Sequence, residues 1–533
     1  MINLKDTIKQ QINQALIEKY QLANIDFQVE YPPNNKSGDY SCNIAMLLAK
    51  KLKKQPTVIG TEIIEVLKHL NTKKPKDLFS KIAVVKPGFI NFYLDEKFLM
   101  EAVDDILKLK EKFGKLKNKH SQKIQIEFIS ANPTGPLTLA NGRGGFSGDV
   151  LANILTLAGN KVEREYFVND FGNQVNILGH SILKDKEAQY KGDYINQLAK
   201  EIKATEVEVI GYKAANVILE RYIKPAVKKA GIKFDNYFSE RKLHQSGKVD
   251  KMLTELIKQN LVYKSEEAVW LKTSKNFSQE YKNDDSQDRV LVKSDGSKTY
   301  FLADIAYHWN KFHQRKFDRV INLWGADHHG YISRMKTAVA MIGYPGQLEI
   351  LLMQLVKLVE DGKEKRMSKR AGVYILLDKL IDEVGLDATR FFFLMHANNK
   401  AMDFDLKLAK EKSSKNPVYY VQYAHARICS IIGKTKTLKK NKAHTELVIA
   451  EKNLIKELIK WPDLVNEVAT NYEVHKIPFY AVALADKFHD FYEQCRVIDN
   501  NGVIITRLKL IKVTKQVLEN VLTILGVSAP EKM

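Results

Sequence analysis

IQIEFIS (124–130), PTGPLTLANGRGG (133–145), DVLANILTLAG (149–159) and KVEREYFV (161–168) follow one another along one stretch of chain. The first and last are short runs rich in apolar and β-branched residues. The third spaces its apolar residues at helical intervals. Strand, turn, helix and strand in that order make the β-α-β unit that opens a doubly wound parallel sheet, so an α/β fold is expected. A glycine-rich turn between a strand and a helix is a common place for backbone to approach a phosphate. Three readings compete for this one. A dinucleotide fingerprint needs G-x-G-x-x-G; Gly142 and Gly144 fit, but Ser147 takes the third place and Gly148 comes one residue late. Glu163 and Glu165 lie about where a ribose-binding acid would stand. A P-loop needs Lys-Ser or Lys-Thr after its last glycine, and neither follows. The plain structural alternative is a tight crossover that binds nothing, and the third reading needs more of the chain.

Outward from this unit, residues 1–100 mix helical patterns, such as SCNIAMLLAKKLKKQ (41–55), with a strand, turn and strand around Pro87-Gly88 in AVVKPGFINFYLD (83–95). The polar stretch LKLKEKFGKLKNKH (107–120), with six lysines from Lys108 to Lys119, reads as a linker that is helical in part. Residues 175–285 are mostly helical in pattern and charged, which suggests an insertion. Apolar runs return at RVLVKS (289–294), RVINLWG (319–325) and QLEILLM (347–353), alternating with helical segments, so the parallel sheet is expected to resume there. From about residue 400 onward nearly everything reads helical, and the last helix is closed by Gly526.

The chain has 533 residues, 44% of them hydrophobic, enough for about three domains with proper cores. No apolar run approaches the roughly 18 residues of a membrane span. The opening MINLKDTIKQQINQALIEKY is amphipathic, carries acidic residues and does not read as a secretion signal. Cys42, Cys429 and Cys495 lie far apart with no C-x-x-C, so neither a disulfide framework nor a cysteine zinc site is expected, and a reducing cytoplasm is the natural location. The formal charge is +21, from 84 Lys+Arg against 63 Asp+Glu. That balance suits a polyanionic partner such as nucleic acid, or a generally lysine-rich composition; charge alone does not separate them.

The basic stretch GKEKRMSKRAG (362–372) extends the reading. Taken alone it is a solvated charged loop. Its Arg366-Met367-Ser368-Lys369-Arg370 is similar to the K-M-S-K-S signature of class I aminoacyl-tRNA synthetases, and Thr138-Leu139-Ala140-Asn141 occupies the place of that class's H-I-G-H. IEFISANPTGPL, REYFVNDFGNQ (164–174), TYFLADIAYH (299–308), GADHHGY (325–331) and DEVGLDATRFFFLM (382–395) resemble the arginyl-tRNA synthetases in order along the chain. GDYSCNIAMLLAKKL and KPGFINFYL resemble that family's N-terminal domain. NPVYYVQYAHARICSI (416–431) and ADKFHDFYEQCRV with the closing GVSAPEKM resemble its anticodon-binding domain.

The resemblance implies a Rossmann-type, doubly wound parallel-sheet catalytic domain over 118–398 with a helical insertion at about 175–288. It also implies an α+β tRNA-binding domain over 1–110 and an all-α anticodon-binding bundle over 399–533. The activity implied is arginine–tRNA ligation: ATP and L-arginine give arginyl-adenylate and pyrophosphate, and the arginyl group then passes to tRNA(Arg). The alternative is a tRNA-binding relative whose catalysis has decayed at the altered Thr-Leu-Ala-Asn turn. Displacement at phosphorus needs positioning and charge stabilisation rather than a nucleophilic triad.

Site roles follow residue by residue. Asp304 would hold the substrate guanidinium, with Tyr300 beside it at i,i+4 spacing, although alone such a pair reads as an ordinary helix-surface contact. Glu127 would point from the first strand into the same pocket, and Asn132 would bind the amino or carboxylate end. ATP would meet Pro136, Thr138, Leu139, Ala140, Asn141, Gly142, Asp327, His328, Arg366, Met367, Ser368 and Lys369. Thr138, Asn141 and Lys369 would be the catalytic members. His328-His329 reads as part of the nucleotide pocket rather than a zinc site. Mg²⁺ would accompany ATP, held by phosphates and water. Tyr423 and Arg427 are tRNA-side candidates on an aromatic stripe, half or more of which belongs in a core. No membrane partner is expected, and the protein is expected to be a monomer.

Overall fold

The computed structural model describes residues 3–33, 37–70, 78–117, 120–274, 287–364, 375–441 and 446–533. Its centre is a five-stranded sheet in the order Leu348–Met353, Arg319–Gly325, Lys123–Glu127, Lys161–Val168 and Asn236–Ser239, every neighbouring pair parallel. The strand Lys123–Glu127 is buried along nearly its whole length, as a parallel strand covered on both faces must be. The chain order reverses between this strand and Arg319–Gly325. Their connections therefore leave on opposite sides and open a crevice at the carboxyl ends of the two strands.

Two expectations about the sheet need correction. RVLVKS does not join it: Arg289–Val292 pairs antiparallel with Ala268–Leu271, which pairs with Val262–Ser265 in a separate small sheet. The insertion read as helical over 175–288 also supplies this hairpin and the edge strand Asn236–Ser239 of the main sheet. A four-residue run carries too little periodicity to say which edge it joins.

The glycine-rich segment is corrected as well. The helix after the first strand runs Leu139–Leu157, so Gly142, Gly144, Gly145 and Gly148 lie inside it rather than in a turn. A Cβ at Gly142 would stand 2.7 Å from Leu377 Cδ1, and one at Gly148 2.3 Å from Phe128 Cγ. The glycines let the helix lie close on the sheet and on the segment covering it. Leu139 is completely buried and Gly142 packs on Leu377, so both belong to the core.

Two buried arginines fasten this helix. Arg143 donates to four backbone carbonyls: Gln354 (2.9 Å), Leu355 (3.2 Å), Ala397 (2.7 Å) and Lys400 (2.5 Å). Arg390, on the helix Leu386–Leu394, pairs with Asp149 at 2.5 Å and donates to the carbonyls of Ala230 and Leu525. It thereby joins the central helix to the insertion and to the end of the last helix, Ile505–Leu525, which Gly526 closes at φ +67°.

Around this core, residues 3–94 form helices on a four-stranded antiparallel sheet ordered Val29–Glu30, Tyr40–Cys42, Phe89–Leu94 and Phe79–Val85. The C-terminal part is helical as expected, with a small three-stranded sheet made by Lys440–Asn441, Gly502–Ile504 and Ile498–Asp499. The two ends of the chain meet. Tyr31 and Tyr40 donate to buried Asp463 at 3.0 and 3.1 Å, and Lys5 pairs with Glu467, Lys456 with Asp39 and Lys452 with Glu96.

The packing role of the helix glycines has a direct test. Gly148→Ala should lower the thermal unfolding midpoint, at the cost of about 1–3 kcal/mol typical of overpacking. Gly433→Ala, whose methyl group would meet nothing within 4 Å, should leave the midpoint unchanged or slightly raised. Thermal melts of the two variants beside the parent decide it.

Candidate active site

A cavity of about 460 Å³ occupies the crevice at the switch point. Its floor comes from the end of the first strand (Glu127, Ile129, Ser130) and of its neighbour (Asn322, Leu323, Trp324, Gly325). Its walls include Asp304 and Tyr300 from the helix Tyr300–Trp309, Glu240 from the helix Glu240–Gln245, and Tyr331. Ile129 and Ser130 hold φ of +65° and +37°, a region unfavourable for a β-branched residue. Ser130 Oγ accepts from Phe167 N at 3.0 Å and donates to Glu127 Oε1 at 3.2 Å, which fixes this lip. Tyr300 is 60% exposed at the mouth, where its hydroxyl accepts from Asn173 N.

Three carboxylates, those of Glu127, Glu240 and Asp304, line this cavity. Asp304 Oδ2 accepts from Tyr331 OH at 2.6 Å. Burial pushes the Asp304 carboxyl up to about 7; Glu240 and Glu127 add to the rise, while the Tyr331 hydrogen bond and Lys311 oppose it. Beneath it, buried His308 is pushed down to about 3, chiefly by burial and then by Lys311, so it is a neutral imidazole. Its Nδ1 lies 2.8 Å from the Asp304 carbonyl and its Nε2 2.9 Å from Asn322 Nδ2. The cavity thus presents acceptors around a space suited to a cation with several donors.

A second cavity of about 580 Å³ adjoins the first and shares Ser130, Asn132, Asn169, Gln174 and His328 with it. Thr134, Gly135, Pro136, Thr138 and Asn141 form one wall, and Gln189, Tyr190, Lys191 and Tyr194 the other. Asn141 Oδ1 accepts from Thr138 N at 2.9 Å and Thr138 Oγ1 at 3.0 Å. The Thr138 hydroxyl proton is therefore committed to holding Asn141, and the Asn141 amide nitrogen keeps both its hydrogens for another partner. Backbone bonds from Leu139 N to Ile375 O and from Leu377 N to Leu137 O bring the chain back to this helix end directly after the basic loop. Arg366, Met367, Ser368 and Lys369 lie outside the described residues.

Asn132 lines both cavities, its Oδ1 2.7 Å from Asn169 Nδ2. Asp327 and His328 line the second cavity, and exposed His329 lines neither. Ala140 is exposed on the first helical turn but does not line the cavity, and neither do core residues Leu139 and Gly142. Glu163 and Glu165 are not ribose ligands: both pair with Arg315, and Glu165 is fully buried.

Comparison with known proteins settles the family. Residues 3–94 match the model of the arginyl tRNA synthetase N-terminal domain, and 102–221 with 213–432 match the catalytic domain of class I (R) tRNA synthetases. Residues 421–533 match the DALR anticodon binding domain. The chain is 41% identical to the arginine–tRNA ligase of Desulfitobacterium hafniense and 42% identical to that of Listeria monocytogenes, each alignment covering 100% of this chain and 99% of the relative. The chain belongs to the arginyl-tRNA synthetases. The solved structure of the Thermus thermophilus arginyl-tRNA synthetase, 20% identical, superposes with a TM-score of 0.79 over 99% of this chain and all of that one, which shows a shared fold.

In this synthetase, Tyr423 and Arg427 stand far along the chain from both cavities, on the helix Pro417–Lys434. They line a cavity of about 760 Å³ together with Lys434, Lys436, Tyr492 and Lys532. Arg427 donates to the hydroxyls of Tyr423 (2.7 Å) and Tyr492 (2.9 Å), and Tyr423 stays 37% exposed. His425 on the same stripe is wholly buried between Pro530 O and Glu519. Sequence reading missed Glu240, Tyr331, Tyr307 and Lys311. Ser239 capping the helix before Glu240 is a visible signal, but it marks a helix start rather than a site.

Asp304 makes the first cavity sensitive to pH. A guanidinium binds the carboxylate form, and Asp304 loses that form as pH falls through about 7. Affinity for free L-arginine should therefore rise about tenfold from pH 6 to pH 8 and level off above. Asp304→Asn should remove this dependence and weaken binding by roughly 30-fold or more, the scale of a lost buried charge pair. Calorimetric titration across pH reads both effects.

Proposed function

We propose that this chain ligates L-arginine to tRNA(Arg), with the carboxylate-lined cavity holding the arginine side chain and the adjoining cavity holding ATP. The observation that carries the reading is the junction of the two. An acidic, donor-seeking pocket opens through Asn132 and His328 onto a polar pocket at the amino end of the central helix. Arginine seated with its guanidinium at Asp304 would extend its α-carboxylate toward that junction. A carboxylate oxygen then forms a bond to the α-phosphorus of ATP while the bond to pyrophosphate breaks, leaving arginyl-adenylate. A terminal ribose hydroxyl of tRNA attacks the arginyl carbonyl next, and AMP leaves.

Thr138 serves by orienting Asn141, whose amide hydrogens face the phosphates together with the amino end of the helix. The lysine of the basic loop, Lys369, meets the departing pyrophosphate, and Arg366, Met367 and Ser368 belong to the same contact. Pro136 and His328 bound the nucleotide, and Asp327 is the one carboxylate among the described residues lining that cavity. That donor set fits Mg²⁺ held mainly by ATP's own phosphates and by water rather than by a protein cage.

The division into a tRNA-binding domain over 1–110, a catalytic domain over 118–398 and an anticodon-binding domain over 399–533 belongs to the same reading. Tyr423 and Arg427 would face the anticodon there. The cysteines are free, and no described helix is long and apolar enough to cross a membrane; a cytoplasmic location and a monomeric state belong to the same reading. The comparisons favour the ligase over a decayed tRNA binder, since relatives 41–42% identical over the whole chain are arginine–tRNA ligases.

The deciding experiment is charging of matched tRNA with purified protein, ATP and Mg²⁺, with lysine as control. Arginine-specific charging is expected; tight tRNA binding without charging would return the decayed reading. Asn141→Ala should lower the rate of adenylation by about tenfold or more, the scale of one lost transition-state donor. Lys369→Ala should slow activation far more than it weakens arginine binding. Pre-steady-state adenylation rates set beside arginine dissociation constants separate the two effects.

A further inference from the structure

Lys311 is fully buried yet lines neither cavity. It lies on the π-helical turn Asn310–Gln314 that continues the helix carrying Tyr300 and Asp304. A π turn inserts one residue, shifts the faces that follow, and is frequent at functional sites. Here the ammonium lies 2.6 Å from Glu127 Oε2, 3.2 Å from Asn322 Oδ1 and 4.2 Å from the centre of the Tyr307 ring.

These contacts have a direction. An ammonium has only hydrogens to give. Asn322 must therefore turn its oxygen toward Lys311 and its NH₂ toward His308 Nε2. His308 Nε2 must accept, so its proton sits on Nδ1 and is donated to the Asp304 carbonyl. On the other side, Lys311 donates to Glu127 Oε2, which also lies 3.0 Å from the Tyr307 hydroxyl, whose single proton is shared with Glu165 Oε1 at 2.6 Å. Only Oε1, touched by Ser130 at 3.2 Å, is left to meet a ligand.

We propose that Lys311 is a positioning residue of the arginine pocket. It sets the orientation of Asn322 and, jointly with the Asp304 carbonyl that accepts from Nδ1, the tautomer of His308, and it takes up the charge of Glu127. Asp304 and Glu240, the latter 3.8 Å from His244 Nε2, are then the carboxylates left for the substrate guanidinium. The proposal rests on the function given above and assigns the charge distribution of its amino-acid site.

Lys311→Met keeps the stem and removes the cation. It should raise the KM for arginine at least about 30-fold, the scale of an uncompensated buried charge, while the KM for ATP stays within about twofold. ¹⁵N-histidine spectra of the substrate-free protein should show His308 as a single Nδ1–H tautomer in the parent and as a mixture in the variant. Should the single variant fail to fold, Lys311→Met/Glu127→Gln removes both charges and spares the fold the unpaired carboxylate. That double variant should still show the mixed tautomer and the raised arginine KM. Retention of a pure Nδ1–H tautomer, or an arginine KM within about threefold of the parent, in whichever variant folds, overturns the proposal. The spectrum needs no substrate. A parent that failed to charge arginine would therefore refute the function while leaving the positioning role to be judged on its own.

Discussion

Arg143 carries a charge into the middle of the molecule, and its recorded partners are backbone carbonyls rather than a carboxylate. Its side chain is 1% exposed, and burial alone pushes its guanidinium down to about 10. Desolvating a cation is costly, and four carbonyl oxygens within 3.2 Å offset that cost through charge-assisted hydrogen bonds. These carbonyls belong to two separate segments. One follows the edge strand Leu348–Met353 and leads into Val356–Glu360, and the other follows the helix Leu386–Leu394. Asn141 lies less than a turn away on the same helix as Arg143. One side chain therefore fixes how the strand Val356–Glu360 stands relative to the first turn of the helix that carries Asn141.

The fold was readable wherever period and length agreed. The β-α-β unit, the strands RVINLWG and QLEILLM and the helical C-terminal part all carry patterns long enough to name their partners. RVLVKS was readable as a strand but not as a member of any particular sheet, since its pairing with Ala268–Leu271 depends on residues outside its own pattern. The glycines misled for a physical reason. A residue without Cβ serves a tight turn and a close helix contact equally well, and only Phe128 and Leu377, distant in sequence, decide between them. The site followed the same logic. Asp304, Tyr300, Glu127 and Asn132 were legible through a resemblance of motifs, and the structure brings them to one cavity. Glu240 and Lys311 were not legible, because a charged residue in a charged, helical-looking stretch reads as solvated surface until its burial is seen.

The two cavities differ in a way that suits two ligands of opposite charge. The first is walled by carboxylates and aromatic rings. The second is walled by amides, hydroxyls, a helix amino end and Lys191, with Asp327 as its lone acid among the described residues. Where they meet, the side chains are neutral amides and a hydroxyl, those of Asn132, Asn169, Gln174 and Ser130, with exposed His328 at the edge. A polar boundary without fixed charge lets a cationic head and a polyanionic tail lie side by side without either being drawn into the wrong half.

Asp463 gives the architecture a mechanical property. Tyr31, Tyr40 and Lys5 all converge on it from the first part of the chain, and Lys456 and Lys452 reach back to Asp39 and Glu96. The amino-terminal sheet is thus bolted to the same helical bundle that carries Tyr423 and Arg427. The regions at the two ends of the chain are thereby held to each other, and Trp461, packed against Phe113 and Gly114, ties both to the segment that enters the central sheet.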